Sequence, residues 1–293
     1  MNKTAVALGF FDGVHKGHQT IIKSAVSEAE SRGLEPLAVT FENQPRAFLT
    51  GQSQSLLTTP SQRRRYLTEL GIKRVIMLPF NAETASMPPE DFCRMLKDEY
   101  GAGCAVCGQN YTFGDKGMGN CGTLEEMGKV FGFESIVCPH LLHNGRVVSS
   151  TWIRELVAKG GIDTASELLG RYYEIEGRVT HGRQEGRKMG FPTCNMELDP
   201  VLMEPRHGVY AAYADIEGKS FKCALNIGTR PTFGLEKTVA EFYILDYEGG
   251  ELYGKDVRLR LKGFIRDEAD FGGSVELSRR IEKDVGLIKE LLK

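Results

Sequence analysis

The sequence predicts an α/β chain in two parts: a domain built on a parallel sheet, then an antiparallel β-sandwich or small barrel closed by a C-terminal helix. Three observations carry this. In the first half, short apolar runs alternate with helical patterns. In the second half, strand-like runs follow one another across Gly-rich turns. The final stretch repeats apolar side chains at helical spacing.

Strands are expected at 4–10, 36–41, 73–78, 104–108 and 134–138, with helices between them at 17–32, 61–70, 89–99 and 122–131. Such alternation is βαβ rhythm, and its crossovers put helices on both faces of a parallel sheet. A further helix contains Ile153 to Val157, and a boundary is expected near 155–172, giving domains 1–165 and 166–293. Beyond it, strands at 172–180, 209–216, 220–227, 238–246 and 256–262 have no helix between them, the mark of a sandwich or small barrel. Leu277, Ile281, Val285, Ile288 and Leu292 then recur every 3.6 residues or so, which predicts an amphipathic helix.

Composition narrows the classes of function. Among 293 residues, 37 Lys+Arg face 39 Asp+Glu, a formal net charge of −2, so no broad positive surface for nucleic acid or anionic membrane is expected. No apolar run approaches the roughly 20 residues of a membrane span. Met1 to Thr4 enter the first strand directly, so no signal peptide is expected. Seven cysteines, an odd number, argue for a reducing compartment, and the expected location is cytoplasmic. Cys104 and Cys107 form a C-x-x-C, but alternation in a buried strand sends them to opposite faces, unlike a metal knuckle.

The most informative stretch is Gly9-Phe10-Phe11-Asp12-Gly13-Val14-His15-Lys16-Gly17-His18. It joins the first strand to the first helix, where free N–H groups and the helix dipole favour phosphate. His15 and His18 bracket Gly17, which lets a phosphate approach the backbone; the arrangement suits a nucleotide attacked at its α-phosphate. Asn110 follows the fourth strand, and its amide suits an adenine edge, a ribose or a flavin phosphate. Ser149, Ser150 and Thr151 open the next helix and can bind a leaving phosphate, with Arg154 stabilising developing charge.

In the second half, Gly182, Gly186 and Gly190 with Arg187 form a loop that reads as a flexible phosphate clamp, without the P-loop spacing. Thr193 and Asn195, two apart on an extended segment, point to one side, where a hydroxyl and an amide oxygen can hold one Mg²⁺.

These segments resemble a known family. Gly9–His18 is similar to the longer form of the H-x-G-H nucleotidyltransferase signature. Gly108 to Gly114 and Ser149 to Arg154 resemble two further segments, and Gly177 to Asn195 resembles the riboflavin kinase signature, followed in order by Asn226–Phe233, Leu252–Gly254 and Phe264–Glu268. Together they match the prokaryotic bifunctional riboflavin kinase/FAD synthetase family along essentially the whole chain. The resemblance implies a Rossmann-like nucleotidyltransferase domain before a riboflavin kinase barrel. It implies phosphorylation of riboflavin to FMN and adenylylation of FMN to FAD, with ATP as co-substrate, Mg²⁺ as cofactor, and flavin as substrate and product. It also implies that Glu241 is the kinase's catalytic base, that His15, His18 and Arg154 serve the adenylyl transfer, and that Gly9, Phe11, Asp12 and Gly17 belong to the phosphate site. Asn110, Arg266 and Glu268 are implied on the flavin side. Oligomeric state stays open. One segment departs: where the family usually reads F-x-P-H-P, this chain has Phe41-Glu42-Asn43-Gln44-Pro45. The alternative this raises is a riboflavin kinase with a weak or inactive adenylyltransferase domain.

Overall fold

Burial along the first strand decides how the first half is built. The computed structural model describes residues 3–180, 191–232, 235–269 and 273–293. In it β1 (Thr4–Leu8) is buried throughout, with Val6 and Leu8 in one apolar cluster and Ala7 in another. A strand with no solvent face needs cover on both sides. β2 (Glu35–Phe41), β3 (Arg74–Leu78), β4 (Ala102–Gly108) and β5 (Glu134–Cys138) join it in the order β3-β2-β1-β4-β5, every pairing parallel.

The helices of this half are α1 (Lys16–Arg32), α2 (Pro45–Thr50), α3 (Pro60–Glu69), α4 (Ala82–Ala85), α5 (Pro89–Asp98) and α6 (Cys121–Phe131). Ile21, Ile22 and Ala25 of α1 and Tyr66 and Leu67 of α3 cover one face. Phe92, Cys93 and Leu96 of α5 and Leu124 of α6 cover the other. The strand order reverses at β1, so the loops leaving β1 and β4 flank the crevice where parallel sheets bind ligands. Cys104 packs with Ala5 and Ala29 while Cys107 lies in the Val6–Phe92 cluster, on the opposite face. Burial pushes the Cys104 thiol up to about 11 and that of Cys93 up to about 12, so both behave as small hydrophobes.

The chain divides into two compact units, Met1–Ser150 and Thr151–Lys293. The first ends with a short hairpin, β6 (Leu142–His143) and β7 (Arg146–Val147). In the second, α7 (Ser150–Ala158) and α8 (Ile162–Leu169) precede β8 (Tyr173–Thr180), β9 (Cys194–Glu197), β10 (Gly208–Ile216), β11 (Lys219–Thr232), β12 (Leu235–Ile244) and β13 (Asp256–Arg266). These six strands close a barrel in the order β10-β11-β12-β9-β8-β13, all neighbours antiparallel. Of the sandwich and the small barrel that the turn spacing allows, the barrel implied by the family resemblance is present, with two differences. Cys194–Glu197, read only as extended, is a full member of it. β11 runs on to Thr232 because its pairing with β12 continues through Pro231↔Glu236.

α9 (Ser274–Leu291) closes the unit, with Ile288 and Leu292 packed against Val209, Ala211 and Leu245. Asp284 on the same helix is only 3% exposed and takes Arg266 through Nε (2.9 Å) and Nη2 (2.8 Å), with Arg280 at 3.1 Å. Removing one partner of a buried pair leaves an uncompensated charge. Asp284→Ala should therefore lower stability by about 3 kcal/mol, read by urea denaturation, with Asp284→Asn in between.

Candidate active sites

The loop after β1 is the tightest piece of backbone in the first unit. Phe11 and Val14 sit in the left-handed region (φ 56° and 42°) with Gly13 (φ 80°) between them. Asp12, buried inside the bend, holds it: its Oδ1 accepts from Leu57 N (2.9 Å), Thr58 N (3.2 Å) and Thr58 Oγ1 (3.4 Å). The carboxylate oxygen Oδ1 thus faces the protein's own amides, and Asp12 holds the shape of the loop after β1. Phe11 has the same kind of role. Its buried ring covers Gly9, where an added Cβ would lie 2.8 Å away, and meets the His18 ring edge-on at 5.4 Å.

The bend delivers His15 to the N-cap of α1, where its Nδ1 accepts from His18 N at 3.3 Å. Because the backbone donates there, neutral His15 carries its proton on Nε2, a donor suited to a phosphate oxygen. The His15 and His18 rings stack at 3.6 Å, nearly parallel (19°). Gly17 leaves room for this stack: a Cβ there would lie 3.2 Å from the His15 ring. Ser150 joins the cluster by donating to Asp12 O at 2.9 Å, and Ser149 precedes it, half-buried. Asn110, exposed beyond β4, shares with His18 the lining of a cavity of about 350 Å³ whose other walls include Phe41, Leu49, Phe80 and Tyr111. Thr151 and Arg154 belong to the second unit, Thr151 exposed and Arg154 buried.

One residue of this region was not singled out in the sequence. Arg63 is fully buried and donates to Phe10 O (3.3 Å), Phe41 O (2.5 Å) and Glu42 O (3.2 Å), with its guanidinium over the Phe10 ring. Burial lowers its pKa to about 10, so it remains a cation. It ties the loop after β1 to the end of β2.

In the barrel, register assembles the second cluster. Glu241 pairs across the ladder with Asn195 on one side and Asn226 on the other. Thr193 Oγ1 donates to Glu241 Oε1 at 2.7 Å. Asn195 is 4% exposed, and its Oδ1 has no hydrogen-bond partner among the described residues. Asn226 Nδ2 donates to Glu268 Oε1 at 3.1 Å. The Glu268 carboxylate lies over Gly228, where any Cβ would collide with it. Thr193, Asn195, Glu241 and Glu268 are thus linked through Asn226. Arg266 instead is committed to Asp284. Gly182, Gly186, Arg187 and Gly190 lie outside the described residues.

The profile of the FAD synthetase family matches residues 1–152 and that of the riboflavin kinase family residues 169–292. The bifunctional riboflavin kinase/FMN adenylyltransferase of Bacillus subtilis is 34% identical, the match covering 96% of this chain and 90% of that one. The Escherichia coli K12 protein of the same description is 32% identical over 95% and 90%. A solved structure from Streptococcus pneumoniae, described as a macrolide-efflux protein, superposes with a TM-score of 0.90 at 28% identity, covering 99% of this chain and 95% of that one. Here no helix among the described residues is long and apolar enough to cross a membrane. The chain belongs to the bifunctional riboflavin kinase/FMN adenylyltransferase family.

Hydrogen bonds to a buried charge contribute more than neutral ones. Asp12→Ala should cost about 3 kcal/mol, seen as an earlier unfolding of the first unit in urea, whereas Asp12→Asn keeps the acceptor and should lose about half as much.

Proposed function

We propose that residues 166–293 phosphorylate riboflavin to FMN and that residues 1–165 adenylylate FMN to FAD, each step consuming ATP on its own set of residues. Family membership carries the two reactions. The observation that carries the kinase assignment is the orphaned, buried Asn195 Oδ1 beside the Thr193–Glu241 hydrogen bond.

For the kinase step, Thr193 gives its only hydroxyl proton to Glu241, so both lone pairs of Oγ1 are available to a cation. Together with Asn195 Oδ1 they make a hard-oxygen pair that fits Mg²⁺. When bound, the ion supplies positive charge to the phosphate oxygens. Glu241 takes the proton from the riboflavin 5′-hydroxyl as that oxygen bonds to the ATP γ-phosphorus and ADP departs. Thr193 keeps the carboxylate oriented, and Glu268 with Asn226 lines the flavin side.

For the adenylyl step, an FMN phosphate oxygen bonds to the ATP α-phosphorus and the bond to pyrophosphate breaks. No proton need move, so the residues act by position and charge. His15 Nε2–H and His18 hold phosphate oxygens at the start of α1, Asn110 orients a substrate, and Ser149, Ser150, Thr151 and Arg154 receive the leaving pyrophosphate. The lone-kinase alternative gains no support, since the first half is matched by the FAD synthetase profile. All seven cysteines are free thiols, and we assign the protein to the cytoplasm.

A chromatographic time course of riboflavin with Mg²⁺–ATP should show FMN rising and then converting to FAD; FMN alone would remove the second activity. His18→Ala should cut FAD formation about 10²-fold with FMN formation unchanged. Glu241→Gln should cut FMN formation by at least about 10²-fold while added FMN is still adenylylated. Asn195→Ala should raise the Mg²⁺ concentration for half-maximal kinase rate by at least about tenfold, read by metal titration.

A further inference from the structure

The departure at Asn43 has a structural use. β2 and β3 pair in parallel up to Phe41↔Leu78, and Glu42 N still donates to Leu78 O at 2.9 Å. There the backbone ladder ends. The Asn43 side chain continues it: Nδ2 donates to Phe80 O at 2.8 Å and Oδ1 accepts from Phe80 N at 2.8 Å. One amide side chain thus satisfies both backbone groups of one residue, as a neighbouring strand would. Gln44 supports the same turn, its Oε1 accepting from Gln54 N at 3.0 Å. A proline at position 43 could make neither Asn43 bond.

The residue so gripped is a wall of the cavity. The Phe80 ring meets Phe41 edge-on at 5.1 Å and Phe48 at 5.7 Å. Phe80, Phe41, Pro45 and Leu49 belong to the lining of the cavity that also has His18, Asn110 and Thr84 in its lining. Leu49 is 60% exposed and Phe48 47%, an apolar rim without a polar side chain among these four lining residues. Of the two substrates, the flavin ring has a dimethylbenzene edge with no hydrogen-bonding atoms, whereas the adenine edge calls for polar partners. The rim therefore fits the flavin.

We propose that Asn43 is a positioning residue for adenylyl transfer: by pairing with the Phe80 backbone it fixes the aromatic rim against which the FMN ring packs. This deepens the function proposed above and rests on it. The test uses the full-length enzyme carrying Asn43→Ala or the near-isosteric Asn43→Asp, which fills the same space but sets an oxygen against Phe80 O. Both variants should raise KM for FMN about tenfold through the lost hydrogen bonds, with kcat, KM for ATP and riboflavin phosphorylation each within twofold. KM for FMN within twofold of wild type in both variants would overturn the proposal, as would a fall in kcat alone or equal rises for ATP and FMN. Wild type forming no FAD would sink the function reading instead. The positioning claim would then be decided by FMN-dependent hydrogen-exchange protection at the Phe80 amide, which should be present in wild type and lost in Asn43→Ala; equal protection in both would reject it.

Discussion

The first unit depends on a backbone bend that would not form unaided. Phe11 and Val14 hold positive φ, which costs an L-residue about 1–2 kcal/mol each, and a β-branched residue such as Val14 resists it most. Two buried charges from α3's neighbourhood hold the bend in place. Asp12 draws in the amides of Leu57 and Thr58, and Arg63 draws in the carbonyls of Phe10, Phe41 and Glu42. Thr40 adds a bond to Phe10 O at 2.9 Å. Charge-assisted bonds of this kind are each worth more than the strain of one residue. Their product is the placement of His15 at the start of α1, from which the stacking on His18 and the need for Gly17 follow.

The barrel reaches a comparable end without strain. Antiparallel register alone sets Asn195, Glu241 and Asn226 in one row across three strands. Alternation then gives Thr193 and Asn195 a common side. Nothing in that row needs an unusual backbone, while a buried ion pair, Arg266 with Asp284, anchors α9.

Much of this was legible in the sequence because buried parallel strands read as unbroken apolar runs and the barrel strands are marked off by turns. What escaped had weak or misleading local signals. α8 has eight residues between Gly160-Gly161 and Gly170, so it reads as a linker. β11 contains Gly228 and Pro231, which read as a turn until its partner strand is known. Arg63 sits in the run Arg63-Arg64-Arg65, which looks like a solvated helix face. A signal did exist: the Thr59/Gln62 capping box fixes where α3 starts, and Arg63 lies three and four residues before buried Tyr66 and Leu67. The family resemblance puts Arg266 on the flavin side and Asp12 at the phosphate site; only the fold reveals that Arg266 also pairs with Asp284 and that Asp12 Oδ1 also takes the amides of Leu57 and Thr58.

A common device links the histidine site, the barrel site and the aromatic rim. With a formal net charge of −2, the chain has no overall field to draw in phosphates, so orientation has to be built bond by bond. The His18 amide settles which nitrogen of His15 carries the proton. The Glu241 carboxylate settles where the Thr193 proton goes, and with it the direction of the lone pairs left over. The Phe80 backbone settles both ends of the Asn43 amide. In each case a neighbour consumes one hydrogen-bonding capacity of a two-faced group, and the remaining face acquires a defined chemical role. Preorganisation of this kind is set before any substrate binds, so its cost falls on folding and not on the reaction.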